Sequence, residues 1–275
     1  MTIDYISDIH LEKYTKHIDI HTFTFQYLKP KNGDILILNG DISDHLKDLD
    51  TFFKVLNEYF DYKMIIYTLG NHEHWSKYEP TFIKLKKIQE ISKHNNIYLL
   101  INNIVNLNKI DKSLPNLNLF GGNIFYDFHI TRNIFEINEK EIIKIWKSQN
   151  DFNMTKNFFN KNYSYLDFNK NSILETLKYE HIDIFVNHVA PSSAIIHSKN
   201  WLMKNDLWNK NLGNLYFEDN LILDKFNIKY WFFGHTHQNL TFRKKDTTFI
   251  CNAFNSYGYD LNNRIKIPEI LQIFI

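Results

Sequence analysis

Short apolar runs that stop abruptly at polar residues punctuate the chain. "TIDYIS" runs into Asp8, "DILILN" into Gly40, "KMIIYTL" into Gly70, "IDIFVN" into His188 and "YWFFG" into His235. Each is rich in Ile, Phe, Tyr and Val and has the length of a buried strand. Between several of them lie segments with helical spacing: "DLDTFFKVLNEYF", "EPTFIKLKKIQEISKHN" with Pro80 near its start, "NEKEIIKIWKSQN" and "YFEDNLILDKFN". Strands alternating with helices predict a layered α/β fold.

The pattern changes between Asn96 and Phe128. "NIYLLINNIVNLN" and "LNLFGGNIFYDF" read as successive strands with no helix between them, and "NLTFRKKDTTFICNAF" reads as a hairpin with "RKKD" as its solvated turn. These predict a second strand set, antiparallel in character. Residues 129–172 are polar, Asn-rich and weakly patterned, which predicts a helical insertion with loops. No repeat and no linker rich in Pro, Gly and Ser divides the chain, so one domain spanning residues 1–275 is expected.

Composition narrows the function classes. Apolar residues make up 44% of the chain and aromatics 16%, enough for a large core, so wholesale disorder is excluded. Basic and acidic residues number 32 and 31, so no overall field gathers nucleic acid or an anionic membrane. The lone cysteine, Cys251, has no internal disulfide partner and lies in the apolar run "TTFICNAF", where it reads as a small buried residue. No run of 18 uncharged apolar residues occurs and the N-terminus lacks a greasy leader, so a soluble cytoplasmic protein is expected.

Candidate chemistry collects at the polar ends of the five strand-like runs. They carry Asp8 and His10, Asp41 and Asp44, Asn71 and His72, His188, and finally His235 and His237. Taken singly, each reads equally as a turn or a capped loop. Together they supply carboxylates, an amide and imidazoles at the strand ends where open α/β sheets bind ligands, a coherent set for divalent metal ions.

The order D-x-H, G-D-x-x-D, G-N-H-E, H, G-H-x-H resembles the calcineurin-like metallophosphoesterase superfamily. The segments "NIYLLINNIVNL", "LFGGNIFYDF", "QNDFNMTK", "NHVAPSS" and "FICNAFNSYGYD" extend the resemblance to a small single-domain branch. The resemblance implies a four-layer α/β/β/α sandwich with two divalent metal ions. Asp8, His10, Asp41 and His237 would hold the first ion and Asp41, Asn71, His188 and His235 the second, with Asp41 as the bridge. This mixed ligand set accepts Mn, Fe, Zn, Ni or Co, with Mn favoured. His72 would face the phosphate, Asp44 would orient His72 through its other ring nitrogen, and hydroxide generated at the metals would attack phosphorus in line.

Departures from relatives within that superfamily narrow the substrate. The protein Ser/Thr phosphatases carry an arginine straight after the position of Asp44, where this chain has His45, and the RNA-debranching relatives replace the equivalent of His10 by cysteine. A small phosphorylated, nucleotide-like substrate is expected, as a diester or a monoester. Trp75, Tyr126 and Phe128 are candidates to stack a base, although core packing explains them equally well. Competing readings are a non-catalytic metal-binding scaffold of the same fold and a nuclease acting on nucleic-acid ends.

Overall fold

Alternate residues of the central strands face opposite apolar layers, and that alternation builds the architecture. The computed structural model describes residues 1–76, 78–133, 135–155, 165–197, 216–253 and 269–275. In the first sheet, β1 (Thr2–Ile6), β2 (Ile35–Asn39), β3 (Met64–Thr68) and β4 (Tyr98–Leu100) pair in parallel. The C-terminal β13 (Leu271–Phe274) closes the β1 edge antiparallel. The second sheet runs in the order β11 (Asn239–Lys244), β12 (Thr247–Asn252), β10 (Tyr230–Phe233), β7 (Ile184–Val186), β6 (Asn118–Gly121), β5 (Asn103–Asn106).

This second sheet is mixed, not antiparallel as its sequence suggests. Its four central strands β6, β7, β10 and β12 are parallel, and only the edges β5 and β11 run against their neighbours. Connection length is the reason: β11 and β12 are joined by a tight turn at Lys245 and Asp246, whereas the links from β6 to β7 and from β7 to β10 contain helices that carry the chain back over the sheet. The first of the two runs read as successive strands after Asn96 is itself divided. It turns at Asn102, which adopts a positive φ of 53°, and sends β4 to the first sheet and β5 to the second. "YFEDNLILDKFN" opens on a short strand, β9 (Tyr216–Phe217), paired with β8 (Ala190–Pro191), and becomes helical only at Asn220–Lys225.

Three apolar clusters fill the three interfaces. Between the sheets, Ile3, Tyr5, Ile35, Ile37 and Ile66 meet Leu119, Ile184, Val186, Phe232 and Ile250. On the outer face of the first sheet, Leu36, Leu38 and Tyr67 pack against Leu49, Phe52 and Phe53 of the helix Leu46–Tyr59 and Ile88 of the helix Thr81–His94. On the outer face of the second, Phe120, Phe185, Trp231 and Phe249 pack against Ile142 and Trp146 of the helix Glu139–Ser148 and Ile222 of the helix Asn220–Lys225. The result is the four-layer α/β/β/α sandwich. Within residues 129–172, further helices span His129–Asn133 and Asn150–Met154, and another begins at Tyr165. The "FNSYGYD" part of the resemblance lies outside the described residues. No helix among the described residues is long and apolar enough to cross a membrane.

Cys251 belongs to the outer cluster of the second sheet, and burial together with nearby Asp8 pushes its thiol up to about 12. Because the thiolate is the reactive form, iodoacetamide at pH 8 is expected to leave Cys251 unmodified in the folded protein and to alkylate it in urea. Mass spectrometry reads the outcome, and rapid labelling of the native chain would contradict it.

Candidate metal centre

The carboxyl ends of β1, β2, β3, β7 and β10 converge on one pocket. Asp8, His10 and His237 form one group whose ligand atoms lie within 4.8 Å of one another, Asp41, His188 and His235 form a second, and His10, Asp41 and His72 a third that overlaps both. Reaching inward directly after a strand demands unusual backbone geometry. Asp8, His10, Asp41, His235 and His237 all adopt positive φ between 51° and 64°. Such conformations cost free energy in residues with a Cβ, and they cluster where the surrounding structure imposes them. Gly40, at φ 74°, leads into Asp41, and a Cβ on Gly70 would stand 2.2 Å from the Asp41 carboxylate, so both positions require glycine.

Three of the candidate ligands, Asp8, His188 and Asn71, share one arrangement: one polar atom is tied to the protein and the other is left bare. Asp8 Oδ2 accepts from Ser7 Oγ at 2.5 Å and from the His235 backbone N–H at 3.0 Å, while Oδ1 has no hydrogen-bond partner. His188 donates from Nδ1 to the Asn39 carbonyl at 2.8 Å and leaves Nε2 bare. Asn71 donates from Nδ2 to Asp151 at 2.9 Å and leaves Oδ1 bare. In Asp41, Oδ1 accepts from the His72 backbone N–H at 2.9 Å, and Oδ2 faces three ring nitrogens: His188 Nε2 at 3.4 Å, His10 Nε2 at 3.8 Å and His72 Nε2 at 3.9 Å. His10 keeps Nδ1 3.4 Å from Glu12, so its Nε2 also faces the pocket.

Bare buried polar atoms are costly, and a concentration of them marks a missing partner. Asp8, Asn71 and His188 are all nearly inaccessible, and the donors are those a borderline divalent cation selects. The residues therefore fit a metal centre. Electrostatics agree: burial opposes a charge on His188, yet Asp41 and Asp8 outweigh it and raise the imidazole to about 10. Burial likewise resists ionisation of Asp41, but His188 and His72 hold its carboxyl well below the usual range. The protein frame calls for positive charge at this point.

The family model for calcineurin-like phosphoesterases matches residues 1–239 of the chain. The chain belongs to the calcineurin-like phosphoesterases. It is accordingly a metal-dependent hydrolase of phosphoric esters. Among solved structures, the phosphopantetheinyl hydrolase of Mycobacterium tuberculosis is similar at 13% identity over 92% of this chain and 90% of that one, with a TM-score of 0.63, a likeness of fold. A dimetal phosphatase from Danio rerio (14% identity, 93% and 88% coverage, TM-score 0.44) and a putative 5'-nucleotidase from Staphylococcus aureus (13%, 99% and 54%, 0.42) are more distant. No curated protein matches in sequence.

Around the pocket, this phosphoesterase carries groups that sequence reading passed over. Glu73, the last residue of G-N-H-E, is fully buried, and its carboxylate accepts from three backbone N–H groups: Gly70 at 2.7 Å, Asp41 at 2.9 Å and Ile42 at 2.9 Å. It joins the β2 end to the β3 end. Lys84 is buried beneath the same turn and donates from Nζ to the His72 and Trp75 carbonyls, at 3.1 and 2.7 Å. Asp151 was visible only as part of "QNDFNMTK", with nothing to connect it to Asn71. Glu12 stands with Asp44 and His72, their ligand atoms within 4.8 Å of one another.

His72 is mostly buried, stacked on Trp75 with ring centroids 3.6 Å apart and set edge-on to His10 at 4.5 Å. The expected hydrogen bond from His72 Nδ1 to Asp44 is not made. His72 Nδ1 has no hydrogen-bond partner, and Asp44 Oδ1 lies instead 3.6 Å from His45 Nε2. Burial and the neighbouring Glu12 raise the Asp44 carboxyl, so two carboxylates crowd the place where one was expected. Tyr126 and Phe128 are fully buried and cannot stack a substrate base: the Tyr126 hydroxyl donates to Asp151 at 2.9 Å and its ring packs edge-on against Phe128 and Trp146. Their spacing reflects core packing. Trp75, only half-buried, spends one ring face on His72.

Proposed function

We propose that this chain hydrolyses a small, nucleotide-like phosphodiester or phosphomonoester at a dinuclear centre, with manganese favoured. Asp8, His10, Asp41 and His237 hold one ion, and Asp41, Asn71, His188 and His235 the other. The observation that carries the reading is Asp41 Oδ2, a single carboxylate oxygen that lies 3.8 Å from His10 Nε2 and 3.4 Å from His188 Nε2, one imidazole from each ligand group. Two bound ions supply charge neutralisation of the phosphoryl oxygens and a nucleophile available at neutral pH.

The protein's own side chains orient and polarise. Burial pushes the His72 imidazole down to about 4, so at neutral pH it is uncharged, a hydrogen-bond donor toward a phosphoryl oxygen or the leaving oxygen. Trp75 fixes its plane by stacking. Asp44 and Glu12 flank His72, and their carboxylates disfavour a second anionic group on that side of the substrate.

The test is hydrolysis of bis(p-nitrophenyl) phosphate and p-nitrophenyl phosphate with Mn²⁺, followed by a panel of nucleotides and a phosphopantetheinyl ester, the last chosen from the name of the Mycobacterium tuberculosis neighbour. Protein holding two Mn²⁺ yet inert toward every compound would overturn the reading in favour of a binding scaffold. His72→Ala is expected to lower kcat by roughly 10²- to 10³-fold with metal content unchanged. An unaltered kcat would remove His72 from the chemistry.

A further inference from the structure

The side chain of Asn71 poses a problem that the ligand set alone does not solve. The two ends of a carboxamide have nearly the same shape, but only the oxygen end binds a cation. Packing cannot choose between them. A partner able to accept and unable to donate can.

Asp151 is that partner. It lies 80 residues away in sequence, in the first turn of the helix Asn150–Met154, and is 5% exposed. Its Oδ1 accepts from Asn71 Nδ2 at 2.9 Å and from Trp75 Nε1 at 2.6 Å, and its Oδ2 from the Tyr126 hydroxyl at 2.9 Å. The helix itself is tied to the loop beyond Asn71, since the Ser76 N–H donates to the Met154 carbonyl at 2.9 Å. A carboxylate held by three donors offers no donor of its own, so the amide nitrogen of Asn71 must turn toward it. Asn71 Oδ1 then points the other way, buried and without a hydrogen-bond partner.

We infer that Asp151 is a positioning residue that fixes Asn71 as an oxygen donor to one of two metal ions, and thereby makes the helix Asn150–Met154 part of the metal site. The inference rests on the dinuclear reading above, in which Asn71 and His235 serve the same ion.

Calorimetric titration of the metal-stripped full chain with Mn²⁺ alone tests it, with His235→Ala as reference and thermal melting as the check that each variant folds. Wild type should take up two ions. Asp151→Ala and Asp151→Leu should keep one site and bind at the other roughly 10- to 100-fold more weakly, the usual effect of removing a group that orients a metal ligand. Asp151→Asn should bind both ions like wild type, because its carbonyl can still accept from Asn71 and Trp75 while its amide donates to the Tyr126 hydroxyl. Wild-type affinities in Asp151→Ala and Asp151→Leu, equal loss at both sites, or an Asp151→Asn as weak as Asp151→Ala would each overturn the inference. Should His235→Ala itself still bind two ions as tightly as wild type, the dinuclear assignment fails first and the inference fails with it.

Discussion

Asp41→Asn is expected to lower kcat/KM for bis(p-nitrophenyl) phosphate at least about 10⁴-fold, a loss of about 5 kcal/mol of transition-state stabilisation. The substitution keeps volume and shape, so the expected effect is chemical. Asp41 Oδ1 is committed to the His72 backbone N–H at 2.9 Å, and that donor cannot face an amide NH₂. The asparagine must therefore present its carbonyl to His72 and its NH₂ to the position now held by Oδ2, among His188, His10 and His72. A donor there binds no cation, and the pocket also loses one of the two carboxylates that raise His188. Steady-state kinetics with parallel elemental analysis checks both consequences. Activity within tenfold of wild type, with two ions bound, would refute the bridging role.

Glu73→Ala is expected to destabilise the metal-free protein by roughly 3 to 5 kcal/mol, although Glu73 faces no substrate. Three backbone N–H groups, of Gly70, Asp41 and Ile42, share its carboxylate in a fully buried setting. Each buried donor left without an acceptor costs about 1–3 kcal/mol, partly relieved where water enters the space vacated. Glu73→Gln separates charge from volume. Oε2 accepts two of these bonds and Oε1 the third, so a glutamine NH₂ placed at either end opposes at least one N–H, at a cost of about 1–3 kcal/mol. Urea unfolding of the two variants measures both values. Stabilities within about 0.5 kcal/mol of wild type, the range of ordinary surface substitutions, would mean that the β2 and β3 ends hold together without Glu73.

The two expectations differ in how far they could be read ahead. Asp41 was legible as a candidate ligand because a side chain directed into a pocket at a sheet's edge has to sit within a residue or two of a strand end, and strand ends are marked by local apolar patterning. The same reasoning reached Asp8, His10, Asn71, His188, His235 and His237, and the structure brings these residues together at one pocket, in overlapping groups of ligand atoms for the carboxylates and imidazoles. Glu73 was on view in G-N-H-E, yet its task is defined by N–H groups 31 and 32 residues away, and no spacing along the chain encodes that. Asp44 shows the converse case. Its position suggested a hydrogen-bond partner for His72, and its carboxylate does stand within 4.8 Å of His72 and Glu12, but His72 Nδ1 is left without a hydrogen-bond partner.

Sequence alone determined the five strands that lead to the site, where each of them stops, and which candidate metal ligands stand at those stops, since all three follow from interactions within a few residues. Tertiary structure alone decided the direction of the second sheet's strands, the burial of Tyr126 and Phe128, and the orientation of Asn71. Each depends on groups far apart in the chain: helical connections that return β7 and β10 parallel to β6, core neighbours that enclose two aromatic rings, and an aspartate 80 residues away that can only accept. Short-range patterning fixes what a residue can offer, and long-range packing fixes which of its atoms is left to offer it.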